Sequence, residues 1–252
     1  MNTEITDNKG RLLSFRLRRH PVPVSAFFRH TLVLTYAVDP AVLRPLLAPG
    51  LTVDTWHGFG FIAIALVQTE SLRPSFLPAM LGRDFFLSGY RVFARYRRLR
   101  GLRILRSETD SRLMVAAGNL LTRYNYRHTR VRVEEAGEIL RVDVGTELSV
   151  EADLASRPAP LPVSSPFRDI REARRFAGPL PFTFDYEPET HSLVLIEAAR
   201  ERWEPEPVSV TVRRNKFIES FPEPVLANAF YVGRVPYRWK RGVVHALTEV
   251  AA

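Results

Sequence analysis

At 252 residues, 46% of them hydrophobic, the chain has material for one sizeable core, and its lack of cysteine excludes disulfides, thiol catalysis and cysteine-ligated zinc or iron–sulfur clusters. The formal charge of +9 comes almost wholly from arginine, since only Lys9, Lys216 and Lys240 are lysines; the cations are scattered among 27 acids without a basic block, which weighs against nucleic acid as a partner. The polar start lacks a signal-peptide core and the longest apolar run, 59–67, is too short for a bilayer, so a cytoplasmic protein with no membrane partner is expected.

In chain order, Thr31 to Tyr36 is a β-rich run. Asp39 and Pro40 then stand as cap and first residue of a short helix that ends at the turn Ala48-Pro49-Gly50. Gly58 to Glu70 reads as a buried strand, its glycines allowing close backbone approach. Phe85 to Glu108 reads as a hairpin turning at Arg100-Gly101. Asp110 and Ser111 cap a helix whose Leu113, Ala116, Ala117, Leu120 and Leu121 recur at helical spacing, which predicts burial against a sheet. The stretch 124–133 reads as one strand entering a turn at Glu135-Ala136-Gly137, and alternating Ile139 or Leu140, Val142 and Val144 close a second hairpin.

Ala155 to Pro166 carries four prolines and is the best linker candidate. A short helix within 167–178, a hairpin across Pro188 to His191, and strands in 208–221 and 228–240 complete the chain. Many short strands and few short helices predict a mainly β (α+β) fold whose predominantly antiparallel sheet curls into a barrel. We read 1–252 as a single domain, with residues 1–20 free to be flexible and 155–166 crossing its outside.

Arg29 to Leu51 resembles the opening strand and helix of the acetoacetate decarboxylase superfamily. The helix followed by YNYRH, Tyr124 to His128, occupies the place of that superfamily's Phe-Pro-Lys-Lys type motif. With DSRL, Asp110 to Leu113, and PYRWKRG, Pro236 to Gly242, the pattern is similar to the uncharacterised branch called domain-of-unknown-function family 2071. The resemblance implies a cone-like β-barrel with an interior cavity, often in a homo-oligomer. It also implies that Tyr126 and Arg127 stand where a decarboxylase carries its Schiff-base lysine and the neighbouring lysine, and that Leu87 or Ser88 stands at the position of an acid. A phenol and a permanently protonated guanidinium cannot form an imine, so that chemistry is not expected. Arg29 matches an arginine placed at the family's cavity, where it can hold a substrate carboxylate.

If Val131 and Val133 point inward, period two places Asn125 and Arg127 towards the cavity, with an acid such as Glu108 or Asp110, or a ligand anion, neutralising the arginine. A bend between Tyr126 and His128 would exchange the faces, which keeps both tyrosines, Tyr124 and Tyr126, as candidates; Tyr126 and His128 are the candidate acids or bases. Tyr90, Val92, Ala94 and Tyr96 form the apolar face of their strand; Arg91 enters the cavity only if that face packs outward. The candidate ligand-binding set is therefore Arg29, Asn125, Tyr126, Arg127, Arg91 and Glu108. The six histidines lack metal-ligand spacing and no nucleotide-binding glycine motif appears, so no metal or cofactor is expected. The expected ligand is a small organic acid. A lyase or isomerase acting on a keto or enol acid without a Schiff base is the first alternative, and nucleic-acid binding through scattered arginines the second.

Overall fold

The computed structural model describes residues 15–178, 180–200 and 203–248. Among the described residues there are fifteen strands: β1 (Val24–Val38), β2 (Thr52–Val53), β3 (Gly60–Pro74), β4 (Arg83–Tyr96), β5 (Leu99–Thr109), β6 (Tyr126–His128), β7 (Val131–Ala136), β8 (Ile139–Val144), β9 (Leu148–Asp153), β10 (Phe182–Glu187), β11 (Ser192–Arg200), β12 (Glu206–Pro207), β13 (Ser209–Asn215), β14 (Val225–Trp239) and β15 (Val243–Ala246). The helices are α1 (Pro40–Leu43), α2 (Arg112–Leu121), α3 (Ile170–Ala177) and α4 (Lys216–Glu219). Among the described residues no helix is long and apolar enough to cross a membrane.

The larger sheet runs β14–β1–β3–β4–β5–β10–β11, and the end of β11 pairs again with β14 through Ala198 to Arg200, so the pairing path returns on itself. Most pairs are antiparallel, but β10 and β6 both lie parallel to β5. The expected antiparallel sheet is thus corrected to a mixed one, because each of these strands reaches β5 after a crossover. A second sheet, β13–β9–β8–β7, is antiparallel throughout.

β3 explains how the layers stack. Its run Phe61 to Val67 is buried on both faces, as a central strand covered on both sides must be. Ile62, Ile64 and Leu66 point to the core shared with Leu140, Val142, Val144 and Val150 of the second sheet. Phe61, Ala63, Ala65 and Val67 point the other way, where Phe61 and Ala63 meet Phe176 of α3. Of the two residues offered for the second hairpin, Leu140 is the buried one.

Three local expectations change. The β4–β5 hairpin turns at Arg97-Arg98, since Tyr96 pairs with Leu99 and Arg95 with Arg100. Gly101 lies inside β5 because β10 comes too close for a side chain: a Cβ there would fall 2.6 Å from the Phe182 carbonyl oxygen. The stretch 124–133 is not one strand, for β6 joins the large sheet and β7 the second. Lys216, read as a strand residue, opens α4 behind the capping Asn215. For residues 1–14 the flexible start lies outside the described residues; Arg19 pairs with Glu187 at 2.5 Å, and the N–H of His20 donates to the Leu121 carbonyl.

Candidate functional site

A cavity of about 320 Å³ opens on the face of the large sheet opposite the second sheet. Small side chains make the room: Ala63 and Ala65 of β3 line it, while the bulky Ile62, Ile64 and Leu66 face the other way. Aromatic residues supply much of the wall. Phe28 stacks on Tyr237 at 4.4 Å between ring centres, Tyr237 lies 4.5 Å from Trp239, and Trp203 abuts Tyr237 at 6.2 Å. Helix α2 covers another side with Met114, Ala117, Gly118 and Leu121. The predicted burial of α2 fails in part: Leu113 is 60% and Leu120 52% exposed, because the helix roofs the cavity and is not sandwiched in the core.

No aspartate or glutamate lines the cavity among the described residues, whereas Arg73, Arg83, Arg91 and Arg200 do. Arg73 is occupied by the carbonyls of Leu77 and Ser71, and Arg200 donates to the Leu180 carbonyl while stacking on Trp203. Arg83 is exposed at the rim. Arg91 differs: its Nε is buried with no hydrogen-bond partner among the described residues, and it makes no ion pair there. Burial pulls its guanidinium below the usual arginine range, with Tyr237 and Tyr126 nearby opposing the shift. It remains charged at neutral pH, as arginine does in proteins. Gly89, two residues earlier on the same face of β4, makes space for it, since a Cβ there would sit 3.0 Å from Arg91 Nε.

Tyr126 and Tyr124 also line the cavity, and both are buried. Burial raises both phenols above the ordinary tyrosine range, so each stays protonated at neutral pH. Their segment is pinned from two sides. The Asn119 side chain donates to the Tyr126 carbonyl and accepts from its N–H, both at 2.9 Å, and the buried Asp185 carboxylate accepts from the Arg123 N–H at 3.0 Å. The tyrosine ring rests directly on Gly118, where a Cβ would overlap it.

Of the sequence candidates, Tyr126 and Arg91 meet at the cavity and five do not. Arg127 is exposed because β6 turns Tyr126 inward and Arg127 outward, and His128, the last residue of β6, is exposed as well. Asn125 is exposed at a left-handed φ of 52°. Arg29 projects to the surface, 53% exposed, and meets Glu135 at 3.5 Å. Glu108 is buried on the opposite face, accepting from the Tyr90 hydroxyl at 3.0 Å and pairing with Arg106 at 3.2 Å. Asp110 accepts from the Phe86 N–H. The picture of Arg29 and Arg127 holding a charge inside the cavity is therefore overturned. Arg91 enters because Tyr90 and Val92 do face outward, into the core shared with the second sheet.

Sequence reasoning missed His20, whose buried ring lines the cavity with Nδ1 lacking a partner among the described residues. Thr31 and Thr69, also on the wall, have buried hydroxyls in the same condition. A legible signal for the cavity face was the alternation of Ile or Leu with Ala over 62–66. No lysine lines the cavity among the described residues: Lys240 pairs with Glu197 at 2.8 Å, Lys216 lies in α4, and Lys9 lies outside the described residues. Among the described residues no cluster of three or more histidines or acids could hold a metal.

The family model described as an uncharacterized conserved protein, domain-of-unknown-function family 2071, matches residues 25–232. A curated relative, the uncharacterized protein YqjF of Bacillus subtilis, is 26% identical over 133 residues; the match spans 52% of this chain and 54% of that protein, about half its length. Among solved structures, acetoacetate decarboxylase from Legionella pneumophila superposes with a TM-score of 0.59 at 13% identity, over 90% of this chain and 88% of that one. An acetoacetate decarboxylase-like enzyme from Sphingomonas wittichii gives 0.59 at 14% identity, over 92% and 96%. The enduracididine biosynthesis enzyme MppR complexed with pyruvate gives 0.57 at 14% identity, over 89% and 90%. At these identities the likeness shows a shared fold.

Proposed function

The chain belongs to domain-of-unknown-function family 2071, and on that premise we propose that it binds a small organic carboxylate in the cavity, held by Arg91 and enclosed by a barrel-like closure of the large sheet. One observation carries this reading: the buried Nε of Arg91, without a partner among the described residues, on a cavity wall that holds four arginines and no acid among them. A buried cation without a counter-charge is costly, and a ligand anion relieves that cost. A carboxylate matches the fork of the guanidinium. The apolar remainder of the wall suits an organic body, as ligand cavities do. A related fold in complex with pyruvate agrees with an acid as ligand. No lysine lines the wall among the described residues, and the reading includes no imine step.

A second reading is a lyase or isomerase for a keto or enol acid. It is favoured by Tyr126, a buried phenol near Arg91. Burial raises its pKa, so Tyr126 would donate a proton or hydrogen bond to a developing enolate. His128, exposed on β6, has no part in it.

Trp203 and Trp239 on the wall supply a signal, for only three tryptophans are present. Titration with 3-phenylpropanoate should change tryptophan fluorescence saturably. The acid should bind at least about tenfold more tightly than its neutral amide, as a charge-assisted pair would require, and Arg91→Met should erase that preference. Equal binding of acid and amide would refute the reading.

A further inference from the structure

We infer that His20 is a second ligand-binding residue of this cavity, pairing with a hydroxyl carried by the same acid that Arg91 holds; the inference rests on the anion-binding reading above. His20 stands in the left-handed region at φ 53°, a conformation uncommon for residues other than glycine. Its backbone is tied on both sides: the N–H donates to the Leu121 carbonyl at 3.0 Å, and its own carbonyl accepts from the Gly242 N–H at 3.0 Å. These ties hold the imidazole on the wall, where Nδ1 is buried with no well-formed hydrogen bond among the described residues, although the backbone of His20 itself and of Lys240 lies close enough to favour a protonated ring. Buried polar atoms are nearly always paired, so such a nitrogen beside an open cavity points to an occupant that pairs it.

The chemistry of the ring selects the group. Burial lowers the imidazole below its ordinary range, outweighing the backbone of His20 and Lys240 that favours the protonated ring, so at neutral pH it is neutral, with one nitrogen donating and the other accepting. A hydroxyl can donate or accept, and therefore suits either tautomer. A carboxylate only accepts, and an ammonium would face four arginines. The body between the two polar ends meets the stacked rings of Phe28, Tyr237 and Trp239. The ligand class is thus a hydroxy acid with a flat or aromatic body.

The test uses the full chain and a matched set: 3-phenylpropanoate and its 2-hydroxy, 3-hydroxy and ring 4-hydroxy forms, followed by tryptophan fluorescence and by imidazole 15N resonances. At least one hydroxylated acid should bind about fivefold more tightly than the parent, the size expected of one added hydrogen bond. The His20 15N signals should move on saturation, and His20→Asn, which tolerates a left-handed backbone, should abolish the ratio. If parent and hydroxylated acids bind alike, or the preference survives in His20→Asn, the His20 assignment is overturned while Arg91-dependent acid binding stands. If no acid binds in an Arg91-dependent way, both fall. Should His20→Asn fail to fold, the native 15N shifts decide: unmoved signals overturn the assignment.

Discussion

Arg91 trades stability for a site. Its Nε lies buried with no counter-ion among the described residues, and Gly89 is spent to make room for it. Replacing such a charge by an apolar chain of similar reach removes a desolvation cost. Arg91→Met should therefore raise thermal stability, by on the order of 1 kcal/mol, while weakening acid binding; a fall in Tm would mean that an unseen partner satisfies the arginine. His20 carries a pH dependence. Its folded pKa is below the ordinary 6.5, so the neutral form is favoured by folding. Its contribution is complete above that ordinary value and is lost as pH falls through the lower folded value. Thermal unfolding should show a loss between pH 7 and pH 5 that His20→Asn reduces; identical profiles would count against a buried neutral ring. The alternation RVFAR left the side of Arg91 open, and only the packing of Tyr90 and Val92 against the second sheet decided it. His20 offered no pattern at all, since a lone histidine after a basic stretch has many ordinary readings.

At the scale of elements, α2 and β6 act as one unit. The helix ends beside the cavity, Asn119 pairs with both backbone groups of Tyr126, and the tyrosine ring fills the space above Gly118. Alanine normally improves a helix interior by about 1 kcal/mol over glycine. Here the added methyl meets an aromatic ring that the Asn119 pair holds in place, and overpacking costs roughly 1–3 kcal/mol. Gly118→Ala should therefore lower Tm and weaken acid binding together; a more stable variant with native binding would show the ring free to yield. The cap at Ser111 and the helical spacing were legible beforehand. The fate of 124–133 was not, because period two holds only within one strand and the chain changes sheets between His128 and Val131. Gly101 misled for a related reason: a glycine demanded by the approach of Phe182 in β10, far downstream, looks locally like a turn.

For the whole molecule, strand content and resemblance carried the fold further than local patterning did. Hairpins could be placed from neighbouring runs, but the parallel pairing of β5 with β10 and the return of β11 to β14 join segments far apart in sequence, with no local signal. Much of the arginine excess answers to acids in the fold: Asp54 is gripped by Arg95 and Arg100, and Arg141 and Arg213 share Glu151. The interior surplus lies at the cavity. Without a lysine on its wall among the described residues, borohydride treatment with a keto acid should leave the protein mass unchanged, and a reduced adduct would restore amine chemistry. The most direct measurement of the central claim is a crystal structure of the native protein soaked with 3-phenylpropanoate. The account predicts the carboxylate within hydrogen-bonding distance of Arg91 and the ring against Phe28, Tyr237 or Trp239; an acid bound elsewhere, or oriented with its carboxylate away from Arg91, would contradict it.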